Sequence, residues 1–212
     1  MYGCSQTEKP AVPKTEATAA STAIRPEKGV SKNILFFGTS LTAGLGVDPE
    51  QAFPAIIQQK LDSVKQPYKV INAGLSGETS ADGKNRIDWL LRQPVAIFVL
   101  ELGANDGLRG IPVKETIANL QAVIDKVKKK YPDARLVLAG MQMPPTMGEK
   151  YTIPFKALFP ALARKNKMAL IPFLLSNVGG KPAYIQQDGL HPNPAGHQII
   201  ADHVWQVLQP EL

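Results

Sequence analysis

Ile34-Leu35-Phe36-Phe37-Gly38-Thr39-Ser40-Leu41-Thr42-Ala43-Gly44-Leu45-Gly46 sets four consecutive apolar residues ahead of a glycine and a serine. A continuous apolar run of this length is the mark of a strand buried on both faces, as in a parallel sheet. Gly38 permits a tight turn, and Ser40 falls where the strand ends and a helix can begin. Free backbone N–H groups at a helix start favour nearby negative charge. A serine in that setting can act as a nucleophile, since attack on a carbonyl creates an oxyanion. The simpler reading of this stretch alone is a serine that caps a helix.

Downstream, strand-like and helix-like stretches alternate. Gln51 to Val64 carries Phe53, Ile56, Ile57, Leu61 and Val64 at helical spacing. Tyr68 to Asn72 reads as a short strand, and Ser80 to Leu91 as a helix weakened by Gly83. Val95 to Leu100 is a buried strand. Val113 to Tyr131 is a helix opening after Pro112 and closing on lysines before Pro132. Arg135 to Ala139 is a fourth strand, and Met141 to Lys150 a loop. Tyr151 to Asn166 is a helix, Met168 to Phe173 a fifth strand with Pro172 at its edge, and Pro194 to Leu208 the last helix. This alternation predicts a three-layer α/β/α sandwich around a central, mostly parallel five-stranded sheet, with right-handed crossovers and flavodoxin-like order 2-1-3-4-5.

The chain of 212 residues, 44% hydrophobic and 20% charged, suits one soluble domain. Its net charge of +6 is dispersed. The densest run, Lys126 and Lys128 to Lys130, ends a helix, where cations complement the dipole, so nucleic acid is not expected as a partner. A single cysteine, Cys4, excludes an intrachain disulfide and any cysteine-based metal cluster. Ser5 to Lys28 is rich in Thr, Ala, Glu, Lys and Pro without hydrophobic periodicity. Residues 1–30 are therefore expected to form a flexible tether, and 31–212 the folded domain. Gly3-Cys4 ahead of such a tether resembles the cleavage site of a bacterial lipoprotein signal. That resemblance implies a lipidated Cys4, a membrane tether and a place in the bacterial cell envelope or periplasm; an exposed thiol is the other reading.

In such a sheet, ligands lie beyond the carboxyl ends of the strands. Four loops collect there: Gly38-Thr39-Ser40-Leu41, Asn72 to Thr79, Gly103-Ala104-Asn105-Asp106-Gly107, and Asp188-Gly189-Leu190-His191-Pro192. Together they supply a serine, a glycine N–H, a carboxamide, and an Asp three residues before a His. These are the parts of a hydrolytic site.

In this order the motifs resemble the SGNH (GDSL-type) hydrolase superfamily, and within it the thioesterase I/lysophospholipase and arylesterase subgroup. The resemblance runs from Lys32 to about Gln209. It implies Ser40 as nucleophile, Asp188 and His191 as the rest of a triad, and Ser40, Gly77 and Asn105 as oxyanion donors. It implies a serine esterase or thioesterase acting on a small acyl ester or thioester through an acyl-serine, with no metal and no cofactor. The family's first motif usually reads Gly-Asp-Ser-Leu; here Thr39 stands in the Asp position. The Gly-x-Ser-x-Gly elbow of other hydrolases is absent, since Thr42 occupies its last position.

Asp106 is expected to order its own loop, and Glu101 to be hydrogen-bonded structurally. Met141, Met143 and Met147 are expected to line an acyl groove; Phe155 and Phe159 fit a groove or the core equally. His191, His197 and His203 are six apart, about 240° of helical rotation, so they share no helical face and form no metal site on their own. Three other readings stay open: a carbohydrate deacetylase of the same superfamily, a non-catalytic acyl-binding protein of the envelope, and a flavodoxin-like redox domain.

Overall fold

A computed structural model describes residues 1–3 and 32–212. The expectations for Cys4 and for Ser5 to Lys28 lie outside the described residues.

Apolar runs at Ile34–Phe37 and Ile97–Leu100 form the two central strands, and nearly every side chain in them is fully buried. The first strand, β1 (Lys32–Gly38), leads into a single helical turn, α1 (Ser40–Ala43). Then follow α2 (Phe53–Ser63), β2 (Tyr68–Gly74), α3 (Ser80–Leu90) and β3 (Ile97–Glu101). Next come α4 (Ala104–Leu108), α5 (Val113–Lys130), β4 (Arg135–Ala139), α6 (Glu149–Asn166), β5 (Ala169–Ile171) and α7 (Pro194–Leu208).

The five strands are all parallel in the order β2-β1-β3-β4-β5, as the alternation predicted. The chain first crosses from β1 to β2, then reverses through β3 to β5. With right-handed crossovers, the reversal puts α2 on one face and α3, α5 and α6 on the other. The contacts agree: α2 packs on α7, and α5 packs on both α3 and α6. The switch point lies at β1 and β3, where such sheets bind ligands.

Local chemistry fixes the element ends. Thr79 and Asp82 form a capping box on α3, each side chain meeting the other's backbone N–H. Asn193 Oδ1 accepts Gly196 N–H at 3.0 Å, and Pro194 opens α7. On α5, Thr116, Leu120, Val123, Ile124 and Val127 are buried and its last turn is lysine-rich. Gly83 has a packing reason: a Cβ there would collide with Leu102 Cδ1.

Some boundaries differ from the sequence reading. β5 is three residues long, ending before Pro172, which has no N–H to give a ladder. The segment after β4 is not wholly loop: it holds a 3₁₀ turn at Pro145–Met147, and α6 starts at Glu149. The one-turn α4 was not foreseen, because five residues starting with Ala-Asn-Asp-Gly carry no helical period.

α7 also buries a histidine. His197 is 1% exposed, stacks on the Phe53 ring at 6.2 Å, and accepts Phe53 N–H at Nδ1. Burial, and then the charge of His191, lower its pKa from 6.5 to about 4. The unfolded chain binds this proton at higher pH than the folded one. Stability from this site is thus full above about pH 6.5 and lost as pH falls toward 4. His197→Asn, which keeps an acceptor for Phe53 N–H, is expected to lower Tm at neutral pH yet flatten its fall between pH 6.5 and 4. Thermal melts across that range check this; an unchanged slope would remove His197 as its source.

Candidate active site

Ser40 is the first residue of α1, so its N–H is one of the helix-start donors without an intrahelical partner. Gly44, at φ 77°, closes the turn by donating its N–H to Ser40 O at 3.1 Å. The turn thus holds a serine, 9% exposed, at the switch point.

His191 Nε2 lies 2.9 Å from Ser40 Oγ. His191 Nδ1 lies 2.6 Å from Asp188 Oδ2. An ionised carboxylate only accepts, so Nδ1 carries the proton and Nε2 is left to take the Ser40 hydroxyl proton. Asp188 Oδ1 accepts the backbone N–H groups of Leu190 (2.9 Å) and His191 (3.0 Å). These bonds, the His191 N–H first, hold the Asp188 carboxyl down at about 2, so it stays ionised.

The loop that carries this pair is tied in place by Gln186. Its N–H donates to His191 O (2.7 Å), and its Nε2 donates to Leu45 O (2.7 Å) and Pro192 O (2.8 Å). Gln186 thereby joins the Asp–His loop to the segment just after Ser40. Nothing in the sequence marked it, since its partners are backbone oxygens, two of them local and one far along the chain.

Asn105, the second residue of α4, lines the same groove as Ser40. One Nδ2–H donates to Glu78 O at 2.8 Å, and among the described residues the other has no acceptor. Gly77, at φ 82°, has its carbonyl held by Arg109 Nη2 at 2.9 Å. Among the described residues no acceptor takes the N–H of Gly77 or Ser40. Glu78 is itself fixed by Arg86 (Nε–Oε1 2.5 Å, Nη2–Oε2 2.6 Å), whose guanidinium lies 4.5 Å from the Phe37 ring centroid. Asp106 does more than order its own loop. It accepts the N–H (2.7 Å) and hydroxyl of Ser80 and the hydroxyl of Thr116, joining α4 to the start of α3 and to α5.

Beside these groups runs a groove of about 500 Å³. Leu41, Leu108, Met141, Met143, Phe173 and Leu175 are among its lining, and no Lys, Arg, Asp or Glu among the described residues lines it. Ser40, Asn105 and His191 all open onto it. Met147 does not: in the Pro145–Met147 turn its side chain packs back on the core, and Pro144 and Pro145 form the wall instead. Phe155 and Phe159 are core residues, 0% and 1% exposed, edge to face at 5.6 Å. Phe173 and Leu175 went unnoticed in the sequence because they follow the edge strand, where the apolar run reads as strand.

Among the described residues no His, Cys, Asp and Glu cluster is arranged to hold a metal. No helix there is long and apolar enough to cross a membrane.

Residues 36–199 match the GDSL-like Lipase/Acylhydrolase family. The chain is 37% identical to Esterase TesA of Pseudomonas aeruginosa over 187 residues, 88% of this chain and 92% of that one. It is 37% identical to Thioesterase 1/protease 1/lysophospholipase L1 of Escherichia coli K12, over 84% of this chain and 83% of that one. The crystal structure of the psychrotrophic esterase EstA from a Pseudoalteromonas species, inhibited by monoethylphosphonate, superposes with a TM-score of 0.79. That protein is 33% identical over 85% of this chain and 98% of its own.

Proposed function

This chain belongs to the GDSL-like lipase/acylhydrolase family and is an ester or thioester hydrolase, and we propose that Ser40, His191 and Asp188 perform the hydrolysis. The observation that carries this reading is the relay Asp188–His191–Ser40, at 2.6 and 2.9 Å, ending on an apolar groove.

His191 Nε2 takes the hydroxyl proton as Ser40 Oγ attacks the acyl carbonyl. Asp188 fixes the Nδ1–H tautomer and stabilises the imidazolium. The oxyanion is met by the N–H groups of Ser40 and Gly77 and the second Nδ2–H of Asn105. The imidazolium returns its proton to the departing alcohol or thiol, leaving an acyl-serine. Water, deprotonated by His191, then attacks that acyl group; the acyl–Oγ bond breaks as His191 returns the proton to Ser40 Oγ, and the acid is freed.

The uncharged groove takes the acyl chain. Each buried CH2 is worth about 0.8 kcal/mol, so kcat/KM is expected to rise roughly threefold to fourfold per methylene until the groove is full. A series of p-nitrophenyl esters and acyl thioesters from acetyl upward tests this. Greatest activity on acetyl groups, falling with length, would favour a deacetylase and contradict the groove assignment.

Asn105→Ala is expected to lower kcat by about a hundredfold or more with little change in KM, because its N–H acts where charge develops. Steady-state kinetics on the best ester of the series decide it; a normal kcat would remove Asn105 from the oxyanion site.

We also propose that residues 1–30 are a tether, lipidated at Cys4, that holds the 31–212 domain at the cell envelope. The support is the tether's composition and the Gly3-Cys4 sequence. Removing residues 1–28 should leave kcat and Tm nearly unchanged, and Cys4→Ser should abolish incorporation of a clickable fatty acid. A large loss of activity or Tm on deletion would show that the segment belongs to the domain.

A further inference from the structure

The most unusual buried group near the site is one the hydrolytic cycle does not use. Glu101 closes β3, is 1% exposed, and has no cation beside it among the described residues. A buried charge without a counter-ion persists only if hydrogen bonds replace its water. Its hydrogen-bond donors among the described residues all come from the nucleophile's turn. Thr39 N–H donates to Oε2 (2.8 Å), the Thr39 hydroxyl reaches Oε1 (3.0 Å) and Oε2 (3.2 Å), and the Thr42 hydroxyl donates to Oε2 (2.8 Å). The fit is tight, since a Cβ on Gly38 would lie 2.5 Å from Oε2.

We propose that Glu101 is a positioning residue. Its carboxylate clamps the turn 39–42 to the strand that, four residues later, supplies Asn105, fixing the serine nucleophile relative to its oxyanion donor. The donors at residue 39 are part of the clamp, together with the Thr42 hydroxyl. The inference rests on the reading of Ser40 as nucleophile.

The Thr39 position gives the clamp a distinctive signature. An aspartate there would set a second carboxyl against Glu101, both side chains being buried. Two such groups cannot both ionise, so the pair keeps a proton. While it does, the substituted side chain offers an O–H to Glu101 as the threonine does. Burial already raises the Glu101 pKa above its ordinary value, and a second carboxylate raises the pair further. The residues contacting the Glu101 carboxylate, Gly38, Thr39 and Thr42, do not titrate. The neighbouring loops bring His191, bonded to Ser40, and Asp188, bonded to His191, and α4 brings Asp106, bonded to Ser80. The pair's proton is lost as pH rises, so the clamp in Thr39→Asp holds at low pH and fails at high pH.

The test compares kcat, KM and pH profile for wild type, T39S, T39V, T42V, T39D and E101Q, each checked for folding by melting. T39S keeps the hydroxyl and should stay within about threefold of wild type. T39V, T42V and E101Q should lose about tenfold to a hundredfold in kcat at nearly constant KM, as expected when a nucleophile is misplaced by a fraction of an ångström. T39D should lose activity on the alkaline side at a pH where wild type is still active. Wild-type kcat in folded T39V and T42V, or a T39D profile superimposable on wild type, would overturn the clamp. If E101Q does not fold, the threonine variants decide alone. Phosphonylation of wild-type Ser40 is measured in parallel: without it the nucleophile assignment fails, whereas labelled Ser40 with unaffected variants refutes only the clamp.

Discussion

Ser40→Ala is expected to lose about ten-thousandfold or more in kcat on any ester or thioester, with Tm nearly unchanged. The loss is large because the serine is the atom that bonds to the acyl group, and triad members act as a unit. What remains is the catalysis available from oxyanion donors and binding alone. The fold does not depend on the hydroxyl: Ser40 Oγ contacts His191, while α1 is closed by backbone bonds from Gly44 and Leu45 to Ser40 O. Steady-state kinetics with melting curves check both halves. A Ser40→Ala protein that keeps more than a few per cent of wild-type kcat would place the nucleophile elsewhere.

The second large effect concerns the base. His191→Ala is expected to lower kcat about a thousandfold or more while the protein stays folded. His191 sits in a loop whose backbone is held by Gln186 and Asp188 rather than by the imidazole alone. His197→Ala and His203→Ala should keep most activity. His197→Ala alone should carry a substantial stability cost. Spacing on the last helix gave no reason to expect more than a modest cost at either position. His197 nevertheless packs on Phe53 and accepts its N–H. Its replacement by alanine leaves a cavity and an orphan donor, costing about 2 kcal/mol or more. kcat for the three folded variants is the readout; an active His191→Ala beside a dead His197→Ala would remove His191 as the base.

The parts of this molecule that sequence reasoning recovers are those with a short-range signature. Ile34–Phe37 and Val95–Leu100 announce the two central strands because both faces are buried and the runs are apolar, although β3 itself starts at Ile97 and ends on the buried Glu101. The order of sheet and helix follows from alternation and handedness, and the positions of Ser40, Asn105, Asp188 and His191 follow from strand ends. Asp188 and His191 are three apart, close enough for the sequence to hold their geometry.

What escaped depends on contacts between residues far apart in the chain. Glu101 is hydrogen-bonded as expected, but its partners Thr39 and Thr42 lie some sixty residues away, and Asp106 reaches back to Ser80. Gln186 reaches Leu45 across 141 positions. Met147 reads like Met141 and Met143 in sequence, but a 3₁₀ turn aims it at the core. No periodicity encodes these choices; they are set by which surfaces the crossovers bring together.

The most direct measurement is mass spectrometry of the protein after treatment with a fluorophosphonate, which phosphonylates an activated serine hydroxyl. The probe should form one covalent adduct on the peptide carrying Ser40, absent in Ser40→Ala and formed far more slowly in His191→Ala. An adduct on another residue, or none in a preparation that still hydrolyses esters, would contradict the assignment of Ser40 as the nucleophile.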